Sequence, residues 1–169
     1  MSLHKDLLVQ ADQLARLGPG RPKQSSLRRA VSSAYYGLFH LLTFEVSALY
    51  VVEPGLAARI NRTLNHGEMK KASSMIANNN LPKALQPQGG GYDIQPEVRM
   101  VANAFVSLQQ ARHEADYDLS RTFRRQETLE FVQSAGKAFA TWDRVRKTDD
   151  ARLYLACLHL WERWNKDQR

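Results

Sequence analysis

Apolar residues recur every three or four positions along most of this chain, and no stretch alternates apolar and polar residues as a half-buried strand would. That spacing places the apolar side chains on one face of a helix, so a sheet is excluded as the main element of the fold. The segments with this pattern are residues 4–17, 24–51, 54–76, 96–120, 127–147 and 149–164. We therefore predict an all-α fold, a bundle of five or six helices.

Glycine, proline and asparagine mark the ends of these segments. Two glycines and two prolines at residues 18–22 end the first helix, because neither residue type continues a helix readily. Residues 78–94 contain three asparagines, two prolines and three consecutive glycines, which predicts a long loop. Thr148 is the predicted N-cap of the last helix, because a hydroxyl suits that position and the acidic Asp149 and Asp150 suit the first turn.

A chain of 169 residues is long enough for one domain with its own hydrophobic core. We predict a single helical domain over residues 1–169, with its core at about 24–147 and further helices at 4–17 and 149–164. The last helix carries two apolar stripes. We expect it to fill a groove of its own bundle, with contact to a second subunit as the alternative.

The charge balance is basic, since 24 Lys and Arg against 17 Asp and Glu give a net charge of +7. Residues 13–44 contain no acidic residue, which favours a polyanionic partner such as RNA, DNA or a nucleotide. The chain has no apolar run long enough to span a bilayer and no apolar signal core near its N-terminus. We expect a cytoplasmic protein that does not associate with a membrane.

Established enzyme motifs are missing from the sequence. The glycines at 89–91 are not followed by the lysine and hydroxyl residue of a phosphate-binding loop. His113 and Glu114 begin like the helix of a zinc protease, but Tyr117 stands where the second histidine is needed. Cys157 is the only cysteine, and its apolar stripe predicts an inert buried thiol. We therefore predict neither a metal site nor a cofactor.

Two of the predicted helices carry polar side chains along one face. The second helix has such a line at Arg29, Ser33, Tyr36 and His40. The third has one at Arg59, Arg62, His66, Lys70 and Ser73, provided that the helix runs through Gly67. Arginine can hold a phosphate through two hydrogen bonds, and a histidine such as His66 can transfer a proton near neutral pH. Either line is therefore a candidate RNA or nucleotide site, with a solvated polar face as the alternative.

Arg112 stands where the apolar stripe of segment 96–120 places an inward-facing residue. A buried guanidinium keeps its charge and needs a carboxylate, phosphate or carbonyl partner. Asp116 lies one helical turn away, and Tyr117 can share a hydrogen bond. We interpret this group either as a structural Arg112–Asp116 pair or as part of a functional site.

Three blocks of the sequence resemble small bacterial proteins of the HEPN-like superfamily. They are SLRRAVSSAYYGLFH at 26–40, RTLNHGEMKK at 62–71 and RHEADYD at 112–118. The likeness spans roughly residues 24–164, and the tyrosine-rich helix together with the Arg-x-x-x-Asp-Tyr block is its most specific part. The resemblance implies an up-and-down four-helix bundle core with one or two additional helices, usually in a homodimer.

Many HEPN proteins act on RNA as metal-independent endoribonucleases, often as toxins or defence effectors. Some pair with a small nucleotidyltransferase, so the resemblance implies RNA or nucleotide binding and an antitoxin or nucleotidyltransferase partner. The catalytic arginine of the family matches Arg112, but Tyr117 stands where the family has a histidine. Because a tyrosine with a pKa of about 10 is a poor general base at neutral pH, cleavage would need His66, His40 or His113.

The leading hypothesis is an RNA- or nucleotide-binding HEPN-like protein, with ribonuclease activity of toxin–antitoxin or defence type as its catalytic form. The candidate catalytic residues are His66, Arg112 and Tyr117, and the candidate binding residues are Arg29, Tyr36, His40, Arg59, Arg62, His113 and Asp116. The alternative is a non-catalytic helical dimer or interaction module, in which Arg112, Asp116 and Tyr117 only hold the structure together. A DNA-binding regulator is a third class, which the lack of a short helix-turn-helix pair disfavours.

Overall fold

The computed structural model describes residues 2–81, 85–86 and 90–166. Within these residues it contains seven helices and no strand, which confirms the predicted all-α fold class. The helices are α1 (Leu3–Arg16), α2 (Gln24–Ala48), α3 (Pro54–Asn61), α4 (His66–Ala77), α5 (Pro96–Tyr117), α6 (Arg125–Val145) and α7 (Asp149–Lys166). None of the helices formed by these residues combines the length and the apolar character that a membrane span requires.

Most helix boundaries lie close to those predicted from the pattern. The last helix begins directly after Thr148, whose Oγ1 accepts a hydrogen bond from the Ala151 N–H at 3.3 Å, as expected of an N-cap. The described residues 78–81 and 90–95 of the predicted loop contain no α-helix. Residues 82–84 and 87–89 of that prediction lie outside the described residues.

The prediction of one helix over residues 54–76 is wrong, because two helices occupy that segment. α3 ends at Asn61, and Arg62 is its C-cap. α4 starts anew behind Asn65, whose Oδ1 accepts hydrogen bonds from the N–H groups of Gly67 at 2.8 Å and Glu68 at 3.3 Å. An asparagine side chain that caps a helix in this way competes with continuation of the preceding helix. The break therefore lies before His66 and not at Gly67.

The chain divides into two compact units. The first unit comprises Met1–Leu41 and Ala104–Ala140, and the second comprises Leu42–Asn103 and Thr141–Arg169. Residues of α2, α5 and α6 fall in both units, whereas α1 belongs to the first and α3, α4 and α7 belong to the second.

The first unit is built around α2. Its buried apolar cluster consists of Leu27, Val31, Ala111, Ala115 and Phe123, with Phe131 packed against it. α1 approaches the backbone of α2 closely at Gly37, where an added Cβ atom would lie 3.2 Å from the carbonyl oxygen of His4. A glycine at this position therefore lets α1 lie directly against α2.

Side chains of α2 also hold the segment that follows α5. The Arg28 guanidinium donates to the carbonyl oxygens of Ala115 at 2.8 Å and Asp118 at 2.9 Å, and also to that of Arg121. Carbonyl groups at a helix C-terminus lack partners within the helix, so an arginine at this place satisfies them and suits the negative end of the helix dipole. These bonds fix the C-terminal end of α5, where Asp116 is the second-last residue and Arg112 lies one turn before Asp116.

The second unit has a sealed core in which α4 packs against α7. The hydroxyls of Ser73 and Tyr154 lie 2.7 Å apart in a buried hydrogen bond. Asp150, in the first turn of α7, accepts hydrogen bonds from the Tyr92 hydroxyl and from the Gln95 N–H. It therefore attaches the segment before α5 to the start of α7. One of the two apolar stripes of α7 consists of Ala151, Tyr154, Leu155, Leu158 and Trp161. Its first four residues are buried, as expected for a helix that fills a groove of its own bundle, and Trp161 is partly exposed.

Candidate functional site

Arg112 forms the centre of a polar cluster in the first unit. Its side chain is only 17% exposed, which agrees with the inward direction predicted from the apolar stripe. Arg112 Nε lies 2.7 Å from Asp116 Oδ2, and an Arg112 terminal nitrogen donates a hydrogen bond to the Tyr36 hydroxyl at 2.7 Å. The Nε contact is an ion pair without the alignment of a hydrogen bond. The guanidinium therefore connects α5 to α2.

Aromatic rings surround this guanidinium. Its central carbon lies 5.9 Å from the ring centre of Tyr35, 5.3 Å from that of Tyr36 and 5.6 Å from that of Tyr117. The negative faces of such rings attract a cation within about 6 Å. Burial alone lowers the pKa of Arg112, but Tyr36 and Asp116 outweigh it and raise that pKa above its ordinary value. Arg112 is thus a permanent positive charge.

Asp116 connects the same two helices through its second oxygen. The Ser32 hydroxyl donates to Asp116 Oδ1 at 2.7 Å, and the carboxylate side chain is 24% exposed. The structure therefore contains the Arg112–Asp116 pair that the sequence predicts, with Ser32 and Tyr36 as additional partners on α2. Both carboxylate oxygens have a partner, as a partly buried carboxylate requires.

A groove of about 570 Å³ runs between α1 and α2 beside this cluster. Its walls are Leu7, Gln10, Leu14, Ser25, Ser26, Arg29, Ser32, Ser33 and Tyr36. We call it the serine groove, after its four serine hydroxyls. Ser32 and Tyr36 belong both to the groove wall and to the Arg112 cluster, so the guanidinium is linked to the groove by one hydrogen bond.

Arg29 and Ser33, two members of the predicted polar line on α2, lie in this groove. Arg29 is exposed. Ser33 is buried and donates a hydrogen bond to Gln10 Oε1 on α1 at 3.0 Å. The line is therefore not simply a solvated face, because α1 covers part of it.

His40 lies one turn beyond Tyr36 on the same helix and is half-buried. The His40 ring stacks on the Tyr36 ring with 6.3 Å between centres and meets the Phe39 ring edge-on at 5.3 Å. Burial lowers the pKa of His40, because the charged imidazolium loses its hydration. Burial therefore favours the neutral form of this imidazole.

His113 and Tyr117 lie on the outer side of α5. Both are exposed, and their rings are 5.1 Å apart. Tyr117 contacts the Arg112 guanidinium through its ring face, as described above, and is 64% exposed. These two residues join the rim of the cluster and not its buried part.

The remaining candidates belong to the second unit. Arg59 and Arg62 are exposed on α3 and at its end, and His66 is the half-buried first residue of α4. The prediction that these residues share one helical face is wrong, because α3 ends before Arg62 and a new helix, α4, begins at His66. The structure therefore assigns His66 and Arg112 to different units.

The predicted site did not include Ser25, Ser26 and Ser32 of the serine groove. Their positions carried a usable signal: Ser25, Arg29, Ser32 and Tyr36 are spaced four, three and four residues apart, which places them on one helical face. The contribution of Gln10 from α1 had no such signal, because it depends on how two helices pack.

The described residues contain no group of three His, Cys, Asp or Glu side chains that could hold a metal ion. Comparisons with protein-family models, with curated proteins and with solved structures gave no match to this chain. The fold and the site thus define an all-α protein with a hydroxyl-lined, arginine-bearing groove.

Proposed function

We propose that the serine groove binds a phosphate group of an RNA or a nucleotide. The observation that supports this most strongly is the groove wall itself, which combines the Ser25 and Ser26 hydroxyls, the exposed Arg29 and the Tyr36 hydroxyl around about 570 Å³. Hydroxyls donate to phosphate oxygens, and a guanidinium can bind two of them at once. A volume of several hundred Å³ suits a small ligand or a segment of a larger one.

The start of α2 adds to this chemistry. Ser25 and Ser26 lie in its first turn, and that turn contains no acidic residue. The N-terminus of a long helix presents backbone N–H groups and the positive end of the helix dipole, both of which favour a bound anion. Residues 13–44 as a whole lack acidic side chains, so α2 itself adds no repulsion of phosphate, and the nearby Asp116 carboxylate is paired with Arg112.

Arg112 contributes to the groove through Tyr36. Because the Tyr36 oxygen accepts a hydrogen bond from the guanidinium, the Tyr36 hydroxyl becomes a stronger donor toward a phosphate oxygen. In this role Arg112 is a positioning residue, held by Asp116 and surrounded by aromatic rings. The proposal therefore differs from the sequence hypothesis, in which Arg112 met the phosphate itself.

An RNA ligand agrees with the net charge of +7 and with the resemblance to HEPN-like proteins. Under that proposal, cleavage without a metal would depend on His40, whose neutral imidazole lies beside Tyr36 in the first unit. Tyr117 lies exposed at the end of α5 and does not line the groove. RNA or nucleotide binding is the function that the geometry supports best, and a ribonuclease of toxin–antitoxin or defence type is its catalytic extension.

A second candidate function is a non-catalytic helical module. One observation favours it: Arg112 is 17% exposed and already contacts Asp116 and Tyr36, as an arginine with a purely structural role would. In that case the protein would act through partner chains, such as a second copy, an antitoxin or a nucleotidyltransferase.

Binding of a labelled RNA oligonucleotide and of a labelled nucleotide, followed by fluorescence anisotropy, tests the proposal. We expect Arg29→Ala to weaken binding about tenfold. The slope of log affinity against log salt concentration should become shallower by about one, as expected when one phosphate contact is lost. Arg124→Ala is the matched control, because Arg124 is an exposed arginine of the same unit that does not line the groove. Equal losses in both variants would show a general charge effect and contradict the proposal.

Cleavage is tested separately, with an RNA pool in chelator and purified wild-type protein. His40→Gln should abolish cleavage and leave RNA binding within about twofold, since the base acts on the reaction and not on affinity. Cleavage that survives in a folded His40→Gln protein but is lost in His66→Gln would move the site to the second unit.

A further inference from the structure

Exposed apolar side chains concentrate in one short stretch of the second unit. Residues 44–56 contain five large ones with the following exposed fractions: Phe44 53%, Leu49 44%, Tyr50 49%, Val52 97% and Leu56 48%. Single exposed apolar residues are common on protein surfaces, but a contiguous group of them marks a binding surface. This stretch joins the end of α2 to the start of α3.

The same stretch encloses a concave site. A groove of about 380 Å³ lies between the end of α2 and α3, and we call it the apolar groove. It is lined by Phe44, Ser47, Ala48, Val51, Val52, Pro54, Ala57, Ala58 and Asn61. Seven of these nine residues are apolar, so the groove offers few partners to a phosphate or a sugar.

Two arginines of α3 and its C-cap flank residues that line the apolar groove. Arg59 lies next to the groove residue Ala58, and Arg62 lies one turn beyond it; both arginines are exposed. The nearby acidic residues are already engaged within the chain. Glu53 caps α3 through the N–H groups of Gly55 at 2.8 Å and Leu56 at 2.7 Å.

Glu45, the other acidic residue of this stretch, forms an ion pair with Arg146 at 3.0 Å and is 13% exposed. The Glu53 carboxylate is held in its charged form, because its hydrogen bonds to the backbone of Gly55 and Leu56 lower its pKa. Glu53 therefore keeps a negative charge next to the groove residues Val52 and Pro54, whereas the charge of Glu45 is paired with Arg146, so Arg59 and Arg62 outnumber the one unpaired carboxylate. The surface around the apolar groove combines exposed apolar side chains with an excess of positive charge.

We propose that the apolar groove binds an amphipathic helix of a partner protein, whose apolar stripe enters the groove and whose flanking acidic residues face Arg59 and Arg62. Helix-in-groove recognition needs a concave apolar site for the anchoring side chains, and charge complementarity selects the partner. Both are present here. The proposal concerns the second unit and does not depend on ligand binding in the serine groove.

Other occupants fit these observations less well. A second copy of the chain docked symmetrically through this groove would bring the same arginines of both copies together, and like charges at an interface oppose association. RNA would meet a wall that is mostly methyl and methylene groups. An anionic membrane presents a flat surface, whereas this site is concave.

Two designed peptides test the proposal against the full chain. Each is a helix of about 20 residues, or roughly 30 Å, with leucine at helical spacing on one face. One peptide has glutamate beside the leucine stripe, and the other has lysine at the same positions. We expect the glutamate peptide to bind at least about tenfold more tightly than the lysine peptide, with affinity that falls as salt rises.

Two variants locate the binding. Val52→Glu should weaken the glutamate peptide about tenfold or more, because it removes an apolar contact and adds repulsion at a side chain that is 97% exposed and so not needed for folding. The double variant Arg59→Ala/Arg62→Ala should remove most of the preference for glutamate over lysine. Val9→Glu, at an apolar residue of the first unit that is 49% exposed, is the matched control and should change nothing.

Equal affinity for the two peptides, or binding that Val52→Glu leaves unchanged, would overturn the proposal. Self-association in sedimentation experiments that Val52→Glu abolishes would assign the groove to a second copy and also overturn it. The proposal would also be overturned if neither peptide bound and the protein instead bound vesicles of anionic phospholipid, or RNA, in a way that Val52→Glu abolished. Loss of RNA binding by Arg29→Ala would bear on the serine groove alone, so the two proposals fail independently.

Discussion

The two units place polar groups in the protein interior in different ways. In the first, Arg112 and Asp116 are 17% and 24% exposed, and their partners Ser32 and Tyr36 also line an open groove. In the second, the Ser73–Tyr154 hydrogen bond is fully buried, and Tyr154 and Cys157 are completely shielded from solvent. A sealed hydrogen bond can only stabilise the fold, whereas a network that reaches a groove can also meet a ligand. Ser73 and Tyr154 therefore have a structural role, and the recognition role of Ser32 and Tyr36 belongs to the proposed function.

Removal of Arg112 should have the largest effect on stability. Arg112→Ala leaves Asp116 partly buried without its cation, and we expect a loss of about 3 kcal/mol in the free energy of unfolding. Urea denaturation measures this. The double variant Arg112→Met/Asp116→Leu should recover most of that loss, because it leaves no charge unpaired. A loss below about 0.5 kcal/mol in Arg112→Ala would show that the pair is a surface contact.

A tyrosine-to-phenylalanine substitution in each unit separates a structural role from a binding role. Tyr154→Phe leaves the buried Ser73 hydroxyl without a partner and should lower the free energy of unfolding by about 1 to 2 kcal/mol. RNA or nucleotide binding should not change. Ser73→Ala/Tyr154→Phe should be less destabilised than Tyr154→Phe alone, as expected when both polar groups leave a sealed site. Reduced ligand affinity in the folded Tyr154→Phe protein would break the comparison.

Tyr36→Phe should show the opposite pattern. Water can reach the half-buried Arg112 guanidinium once the hydroxyl is gone, so the free energy of unfolding should fall by about 1 kcal/mol or less. Ligand affinity should fall several-fold, because the groove loses a donor and its link to Arg112. Denaturation and anisotropy are measured in parallel on both variants. We expect Tyr154→Phe to lose mainly stability and Tyr36→Phe to lose mainly ligand affinity, and equal losses of both in the two variants would contradict the comparison.

The smallest expected effect is a pH dependence due to His40. Its pKa in the folded chain is below the ordinary value of 6.5, so the folded state binds this proton less readily than the unfolded state. The stabilising contribution of neutral His40 is complete above pH 6.5 and decreases as the pH falls through the interval between the two pKa values. The His40→Gln variant should show a flatter stability profile over that interval, measured by thermal denaturation at several pH values. Identical profiles would contradict the buried placement of this imidazole.

Local patterns predicted much of the fold. The helices α1, α2, α5, α6 and α7 follow from apolar periodicity, and the Arg112–Asp116 pair follows from a spacing of four residues within one helix. Both inferences need only the geometry of a single helix. The burial expected of Cys157 from its apolar stripe is confirmed, and this burial raises the pKa of its thiol to about 12.

The features that the sequence did not predict depend on competing local signals or on contacts between distant residues. Periodicity continues across residues 61–66, but the Asn65 side chain caps a new helix there, and the apolar pattern does not show which of the two signals prevails. The serine groove could not be predicted, because it requires α1 to pack against α2 through Gln10 and Gly37. The HEPN-like arrangement of the helices and its functional consequences remain predictions from resemblance.

Gly37 has a consequence for ligand selection. α1 lies against α2 at a distance that leaves only 3.2 Å between a Cβ atom at this position and the carbonyl oxygen of His4. Any side chain at residue 37 would act as a spacer between the two helices, and the groove between them would widen by a few tenths of an ångström. The width of the serine groove, and with it the size of the ligand in the proposed function, therefore depends on a glycine that does not itself line the groove.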